Sequence, residues 1–538
     1  MTRDPRATLA TGPLGPDHHV AVSPHHLASS AAVELMGSGG TAVDGAVCAN
    51  AVLSVVAPET CGPGGDLFAL VHAPQMSAPA ALNASGRAGS GATAADIRAA
   101  GYAELPPRGP WAITIPGAVD GWFALLDRFG RLELDAVFAP AIELAEHGFE
   151  VSAELADALE RLRPTLIGQR SAPELYPTGR TPRPGDVIHR PALASTLRAI
   201  VSEGRAGFYE GPVADGIVAA AEGAIRPEDL RAPQAEWIEP LGADVFDRRL
   251  WTIPPNSQGY MVPATLAVFE RLGSFDDPAD PAFQHALIEA YRVVAAERDQ
   301  VVADPTTAPI APDDLVDPER LSALAELVAP DRAGRYAGLR QAPGGTAYLC
   351  TRDASGMGVS YIQSNFMGIG SGRSAGATGV WLHNRGAGFN LIPGHPNEYA
   401  PGRRPLHTLS PTLWTDGDRL ALLLGTRGGH YQPQLLAQIA ADLHVGGSCP
   451  DDSQAFPRWV VHDLAPGSTS RVEYEPRFPR RTIAGLSERG HDLVPVDGWM
   501  TGWGPVSIIR IEDDLRGSAD PRVSTAAAVS RPAGTPRS

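Results

Sequence analysis

The chain of 538 residues contains no lysine, so all 44 of its basic residues are arginine. This matches a composition rich in Ala, Gly and Pro as well as Arg, and it marks a compositional bias before it marks any function. Basic charge is also in deficit. Against 44 arginines stand 61 acidic residues, a formal net charge of −17. A nucleic acid or an anionic membrane needs a basic face, so neither is an expected partner. Cysteine is scarce: Cys48, Cys61, Cys350 and Cys449 are the whole complement, and none forms a CxxC pair. That excludes a disulfide scaffold and a cysteine zinc site. Cys48 and Cys350 lie in apolar runs and read as small core residues. No run reaches the roughly 18 apolar residues of a membrane helix. The opening residues show no apolar segment of a secretory signal, so the expected location is cytoplasmic. Aromatics are sparse at 6%, yet 43% of the chain is hydrophobic, enough for a large core.

Residues 1–18 are rich in Pro and Gly and read as loose. Residues 26–56 read as two helices divided at "GSGG", the second apolar nearly all round, as a buried helix is. A glycine loop, "ETCGPGGD", then leads into a strand over 67–72. "DAVFAPAIELAEHGF" and "FQHALIEAYRVVAAERDQVV" carry helical periodicity. The segment 305–336 reads as an exposed connector. "TAYLCTRD", "ASG" and "MGVSYIQSNF" read as strand, tight turn and strand. "GVWLHN", "RLALLLGT" and "VSIIRIED" are further strand candidates, and the tail from Gly517 reads as mobile. Helix and strand groups alternate, which predicts an α/β or α+β layered fold.

Three stretches could carry chemistry. The first is Gly344-Gly345-Thr346, just ahead of the strand pair. A threonine freed at a new N-terminus has its hydroxyl as nucleophile and its own α-amine, of pKa about 8, as base. The glycines before it let the scissile peptide bend toward the hydroxyl. The second is "LLLGTRGGHYQPQ", where an apolar strand ends in Gly428 and Gly429. Two successive glycine N–H groups can hold an oxyanion there, and an ordinary tight turn would look the same. The third is "APGRRPLHTLSPTLW", a polar loop with His407 and Thr408 that says little alone. His18, His19, His25 and His26 lack carboxylate or cysteine partners at ligand spacing, so no metal is expected. His430 beside the glycine pair is a candidate titrating group. Arg385 is a candidate for a substrate carboxylate, or else a structural arginine paired with an acid at the core edge.

Together these stretches resemble the γ-glutamyltransferase (γ-glutamyltranspeptidase) family of N-terminal nucleophile hydrolases. "GGTAVDGAVCANAVLSVVAPETCGPGGDLFALV", "AITIPGAVDGW", "GFYEG", "IPPNSQGY", "NRGAGFN", "GRRPLHTLSP", "GTRGGHYQPQ" and "GSADPR" follow in the family's order. The resemblance implies a four-layer αββα sandwich made as one precursor that cuts itself between Gly345 and Thr346. The products would be a large subunit, 1–345, and a small one, 346–538, sharing one composite fold. It further implies Thr346 as nucleophile, Gly428 and Gly429 as oxyanion donors, and Ser364, eighteen residues on, as the hydroxyl that orients the α-amine. No cofactor is called for. The acceptor is water or an amine.

The departures concern the substrate. Ser85 falls where members that bind a γ-glutamyl group have an arginine for the α-carboxylate, and Arg87 follows two residues later, a spacing of about 6–7 Å along one face of a strand. Gly388 falls where those members have an acid for the α-amino group. His407 and Thr408 replace a pair of serines, and "TAY" replaces "TTH" after the cut. A charged hydrogen bond to an ammonium contributes about 1.5–3 kcal/mol, so recognition of a glutathione-like zwitterion should be much weakened. The sequence therefore predicts a mainly hydrolytic enzyme acting on a small carboxylate-bearing amide through Thr346, with Ser85, Arg87, Arg385, His407, Thr408 and His430 near the substrate. The alternatives are a true γ-glutamyl enzyme with Arg87 or Arg385 in the clamp, and an unprocessed, inactive homologue with a binding role.

Overall fold

A computed structural model describes residues 8–9, 12–338, 341, 344–462, 471–512 and 514–534. Its centre is a pair of facing sheets. The first has eight strands, in the order Thr8–Leu9, Ala527–Pro532, His18–Ser23, Gly345–Arg352, Gly358–Phe366, Asp66–His72, Ala80–Ala84 and Glu236–Ile238. The second has six: Leu515–Ala519, Val506–Ile511, Arg419–Thr426, Thr412–Asp416, Arg248–Thr252 and Leu241–Val245. Neighbouring strands in both are antiparallel.

Side-chain alternation builds the layers. In Gly345–Arg352, Tyr348 and Cys350 enter the space between the sheets with Val22, Phe68, Ile362, Leu413, Leu423 and Ile509. Ala347 and Leu349 point the other way, into a core shared with helices His26–Gly37, Ala42–Val56 and Leu134–His147. Trp414, Leu422 and Ile508 leave the second sheet toward helices Met261–Arg271, Pro281–Ala295 and Gln432–His444. Each sheet is therefore buried on both faces, and the architecture is the expected αββα sandwich. The helix Ala42–Val56 is buried along its whole length. Its start is fixed by a capping box, in which Thr41 and Asp44 satisfy each other's backbone N–H groups.

Three sequence expectations give way. The tail is not loose from Gly517: Leu515–Ala519 and Ala527–Pro532 are strands of the two sheets, the latter paired with His18–Ser23. Its small residues hide a strand whose partners lie some 500 positions away in the chain. The connector 305–336 contains a helix, Pro318–Glu326, that buries Leu321 and Leu324. Of residues 1–18, Thr8–Leu9 forms an edge strand and His18 begins another, while 1–7, 10 and 11 lie outside the described residues. His25 also has a structural task, accepting the Leu27 N–H as a helix cap.

Candidate active site

Thr346 is 1% exposed and sits at an irregularity in the first sheet. Gly345 pairs with Phe366 and Ala347 with Gln363, so the register slips at the threonine. Such a bulge re-aims a side chain. The glycines before it have no room for side chains. A Cβ on Gly345 would lie 2.7 Å from the Glu59 carbonyl oxygen, and one on Gly344 would lie 3.0 Å from the Gly429 Cα. The Gly-Gly-Thr motif and the Gly428–Gly429 pair are thus in contact. Gly428 and Gly429 take φ of +135° and +58°, which favour glycine. Neither N–H has an acceptor among the described residues.

Ser364 links hydroxyl and carbonyl. In the continuous chain Thr346 Oγ1 donates to Ser364 Oγ at 3.2 Å, and Ser364 Oγ donates to the Gly345 carbonyl oxygen at 2.6 Å. The same Oγ accepts the Phe366 N–H at 2.7 Å. Phe366 has a φ of +74°, a conformation costing a non-glycine residue about 1–3 kcal/mol. The Arg385 guanidinium, 4.1 Å above its ring, helps hold it there.

Arg385 belongs to a buried network that sequence reasoning missed. Asp66 Oδ2 lies 3.2 Å from His383 Nδ1, 3.3 Å from Arg385 Nε and 3.0 Å from His407 Nε2, and all four side chains are 0% exposed. Asp66 Oδ1 accepts the Gly86 N–H. Burial alone would raise the Asp66 pKa, but His383 and His407 outweigh it and hold the carboxyl well below its ordinary range. Burial and the nearby Arg385 push His407 down to about 3. Its Nδ1 accepts the Leu409 N–H, so both of its nitrogens are engaged. Burial lowers Arg385 to about 10, which leaves it charged near neutrality. Arg385 Nη1 donates to Thr408 Oγ1 at 3.1 Å, while Nη2 is buried without a hydrogen-bond partner among the described residues. A signal was available: an acid opening a strand buried at all seven positions, Asp66–His72, needs partners.

The remaining candidates fall in different places. Thr408 joins the network, and Gln258 Nε2 ties its carbonyl to that of Gly429. Ser85 is buried, accepting from Asn256 Nδ2. Arg87 turns to Glu236, an exposed acid that Arg404 also engages. His430 packs edge-on near Phe366, with ring centres 6.4 Å apart. Glu59, beside Gly345, has a carboxyl pushed up to about 7 by burial, partly offset by Arg427. Away from the site, His285, Glu289 and His491 cluster at metal-ligand distance. Their polar atoms are already bonded: the imidazoles to each other at 2.8 Å, and Glu289 to Arg292, Gly334 and Tyr336.

A buried threonine at a strand start, a glycine pair against Gly344 and an αββα sandwich are the arrangement of an N-terminal nucleophile hydrolase. The chain belongs to the gamma-glutamyltranspeptidase family, whose model matches residues 28–530. It is 36% identical over 523 residues to the oxamate amidohydrolase proenzyme of Klebsiella pneumoniae, covering 95% of this chain and 98% of that one. It is 35% identical over 526 residues to the glutathione hydrolase-like YwrD proenzyme of Bacillus subtilis, covering 94% and 98%. Among solved structures it resembles cephalosporin acylase from Bacillus halodurans, with a TM-score of 0.88, 30% identity, and coverage of 98% of this chain and 97% of that one. The chain is therefore an enzyme of the self-processing amidohydrolase kind.

Proposed function

We propose that the precursor cuts itself between Gly345 and Thr346 and that the freed Thr346 hydrolyses a small amide bearing a carboxylate. The observation that carries this is the hydrogen-bond chain from Thr346 Oγ1 through Ser364 Oγ to the Gly345 carbonyl, beside Gly428 and Gly429. In processing, Thr346 Oγ attacks the Gly345 carbonyl carbon while Ser364 donates to its oxygen, the C–N bond breaks as the hydroxyl proton passes to the departing nitrogen, and water then hydrolyses the resulting ester to leave residues 1–345 and 346–538. In turnover the α-amine takes the hydroxyl proton, Oγ bonds to the substrate's acyl carbon, and the amine or ammonia leaves with a proton. Gly428 and Gly429 N–H groups hold the oxyanion. Water then cleaves the ester. Arg385, charged and with one N–H edge unpartnered, is the group we assign to the substrate carboxylate, with Thr408 beside it. Oxamate, the substrate in the name of the Klebsiella relative, has the required form.

The glutathione hydrolase-like relative supports a second reading, a γ-glutamyl enzyme. Of the two arginines offered for its clamp, Arg87 already pairs with Glu236, which leaves Arg385 to serve that reading. Intact mass of the purified protein, followed by parallel assays with oxamate and a γ-glutamyl anilide, separates the readings. Two chains divided at Gly345–Thr346 with oxamate turnover are expected. A lasting single chain would remove the enzyme assignment, and faster turnover of the anilide would favour the γ-glutamyl reading.

A further inference from the structure

Gly388 offers no carboxylate where a zwitterion clamp needs one, but Asp66, from the strand Asp66–His72, pairs with Arg385 at the start of the short helical turn that ends at Gly388. We propose that Asp66 is a positioning residue that turns this end of the pocket into a site for anions alone, by holding Arg385 with one N–H edge free for a substrate carboxylate and by leaving no acid free for an ammonium. The proposal rests on the assignment of Arg385 to the substrate made above.

The geometry accounts for every polar edge of the network. Asp66 Oδ2 faces Arg385 Nε, His383 Nδ1 and His407 Nε2, and Oδ1 is taken by the Gly86 N–H. Four donors thus face a carboxylate that offers about four acceptor sites, three of them at Oδ2 and one at Oδ1. The donors around it are fixed at their far ends as well. His383 Nε2 lies 2.8 Å from the Thr114 carbonyl oxygen, His407 Nδ1 accepts from Leu409, and Arg385 Nη1 donates to Thr408. The Phe366 ring sets the plane of the guanidinium. Neither Arg385 Nε nor Nη2 has a hydrogen bond among the described residues, but Nε faces Asp66 as an ion pair at 3.3 Å, whereas Nη2 is a buried donor that calls for an acceptor.

Its position suits a substrate. Phe366, under the guanidinium, is the strand partner of Gly345, and Asp66 is the strand partner of Ser364. Charge agrees. One carboxylate faces one guanidinium, and both nitrogens of His383 face oxygen atoms of the protein. The network carries no surplus negative charge to attract an ammonium. The substrate class is therefore a short amide with a carboxylate near the scissile carbonyl and no α-amino group.

The test compares processed wild type with Asp66→Asn, Asp66→Glu and Arg385→Lys, using oxamate, its neutral analogue oxamide, and oxalate as an unreactive anion. In Asp66→Asn, KM for oxamate should rise at least about tenfold, as expected when a charge-assisted contact is misaligned. The ratio of kcat/KM for oxamate to that for oxamide should fall at least about tenfold, so that discrimination between anion and neutral amide collapses. Asp66→Glu should restore part of that discrimination. Oxalate binding, measured by calorimetry, should weaken in step in Asp66→Asn and Arg385→Lys. Unchanged oxalate affinity and unchanged oxamate-to-oxamide preference in Asp66→Asn would overturn the proposal. If Asp66→Asn does not fold, wild-type oxalate affinity in Arg385→Lys overturns it equally. A wild type that binds oxalate through Arg385 but hydrolyses no amide would instead refute the proposed function and leave the anion site standing.

Discussion

The two ends of the site are built from opposite materials. The proposed reacting end uses neutral groups: two hydroxyls, Thr346 and Ser364, and the backbone of two glycine pairs. The proposed recognition end, on the neighbouring strand opposite Ser364, is a buried knot of Asp66, His383, Arg385 and His407. A reaction centre that must first cut its own peptide and then an external amide needs close approach and preset dipoles, which small groups supply at little desolvation cost. Discrimination between ligands is sharper with fixed charge, and buried charge is tolerable only when each member is paired. The first end can therefore stay the same while the second is rebuilt for another acyl group.

The comparison can be broken at either end. The largest effect should come from Thr346→Ala: a single uncut chain on a denaturing gel, and amide turnover reduced at least about 10⁴-fold. Normal cleavage in that variant would dissolve the reacting end as drawn. Next, Ser364→Ala should slow self-cleavage by about 10²–10³-fold, the cost of one oxyanion donor, measured by intact mass against time after synthesis. Arg385→Lys should leave cleavage intact and raise KM for a carboxylate-bearing amide by about 10–100-fold, because an ammonium cannot reproduce the forked contact. An effect on processing as large as that of Ser364→Ala would show that the two ends are not separable.

The mildest probe is pH. The free α-amine of Thr346, of ordinary pKa about 8, must be neutral to accept a proton, so kcat/KM should fall as pH drops below about 8. The recognition end should not follow. Arg385 stays charged up to about 10, so oxalate affinity should hold across neutrality and weaken only near that value. For stability, His407 is held near 3 when folded, against an ordinary 6.5. Between these values the unfolded chain binds more protons, so stability is full above about 6.5 and is lost as pH falls toward 3. His25 and His491, also pushed down to about 3 by burial, act in the same window. A melting temperature that does not fall between pH 6.5 and 4 would contradict the burial of neutral imidazole at these positions.

Local pattern made much of this legible. Alternation marked Gly345–Arg352 and Gly358–Phe366 as strands, and "GSGG" divided two helices at the right place, because these signals act over a few residues. The strand Ala527–Pro532 was missed because its small residues carry little signal and its partners lie at the other end of the chain. Among site residues, motif and order picked out Thr346, Ser364, Gly428 and Gly429. They also picked out Arg385 but left open which of two tasks it has. It is paired with a buried acid and also keeps a free edge.

The sequence by itself determined the family and the layered fold and marked the residues of the proposed reacting end, because those depend on residue types at fixed short spacings: a threonine after glycines, a glycine pair after an apolar strand. Only the tertiary structure decided what surrounds the substrate. Asp66, His383, Arg385 and His407 are spread over some 340 positions of the chain, and no spacing rule relates them. They meet because the Asp66–His72 strand lies beside Gly358–Phe366 and two loops close over its end. Pairing of buried charge is settled by which groups the fold brings within about 3 Å of one another, and that is a property of packing.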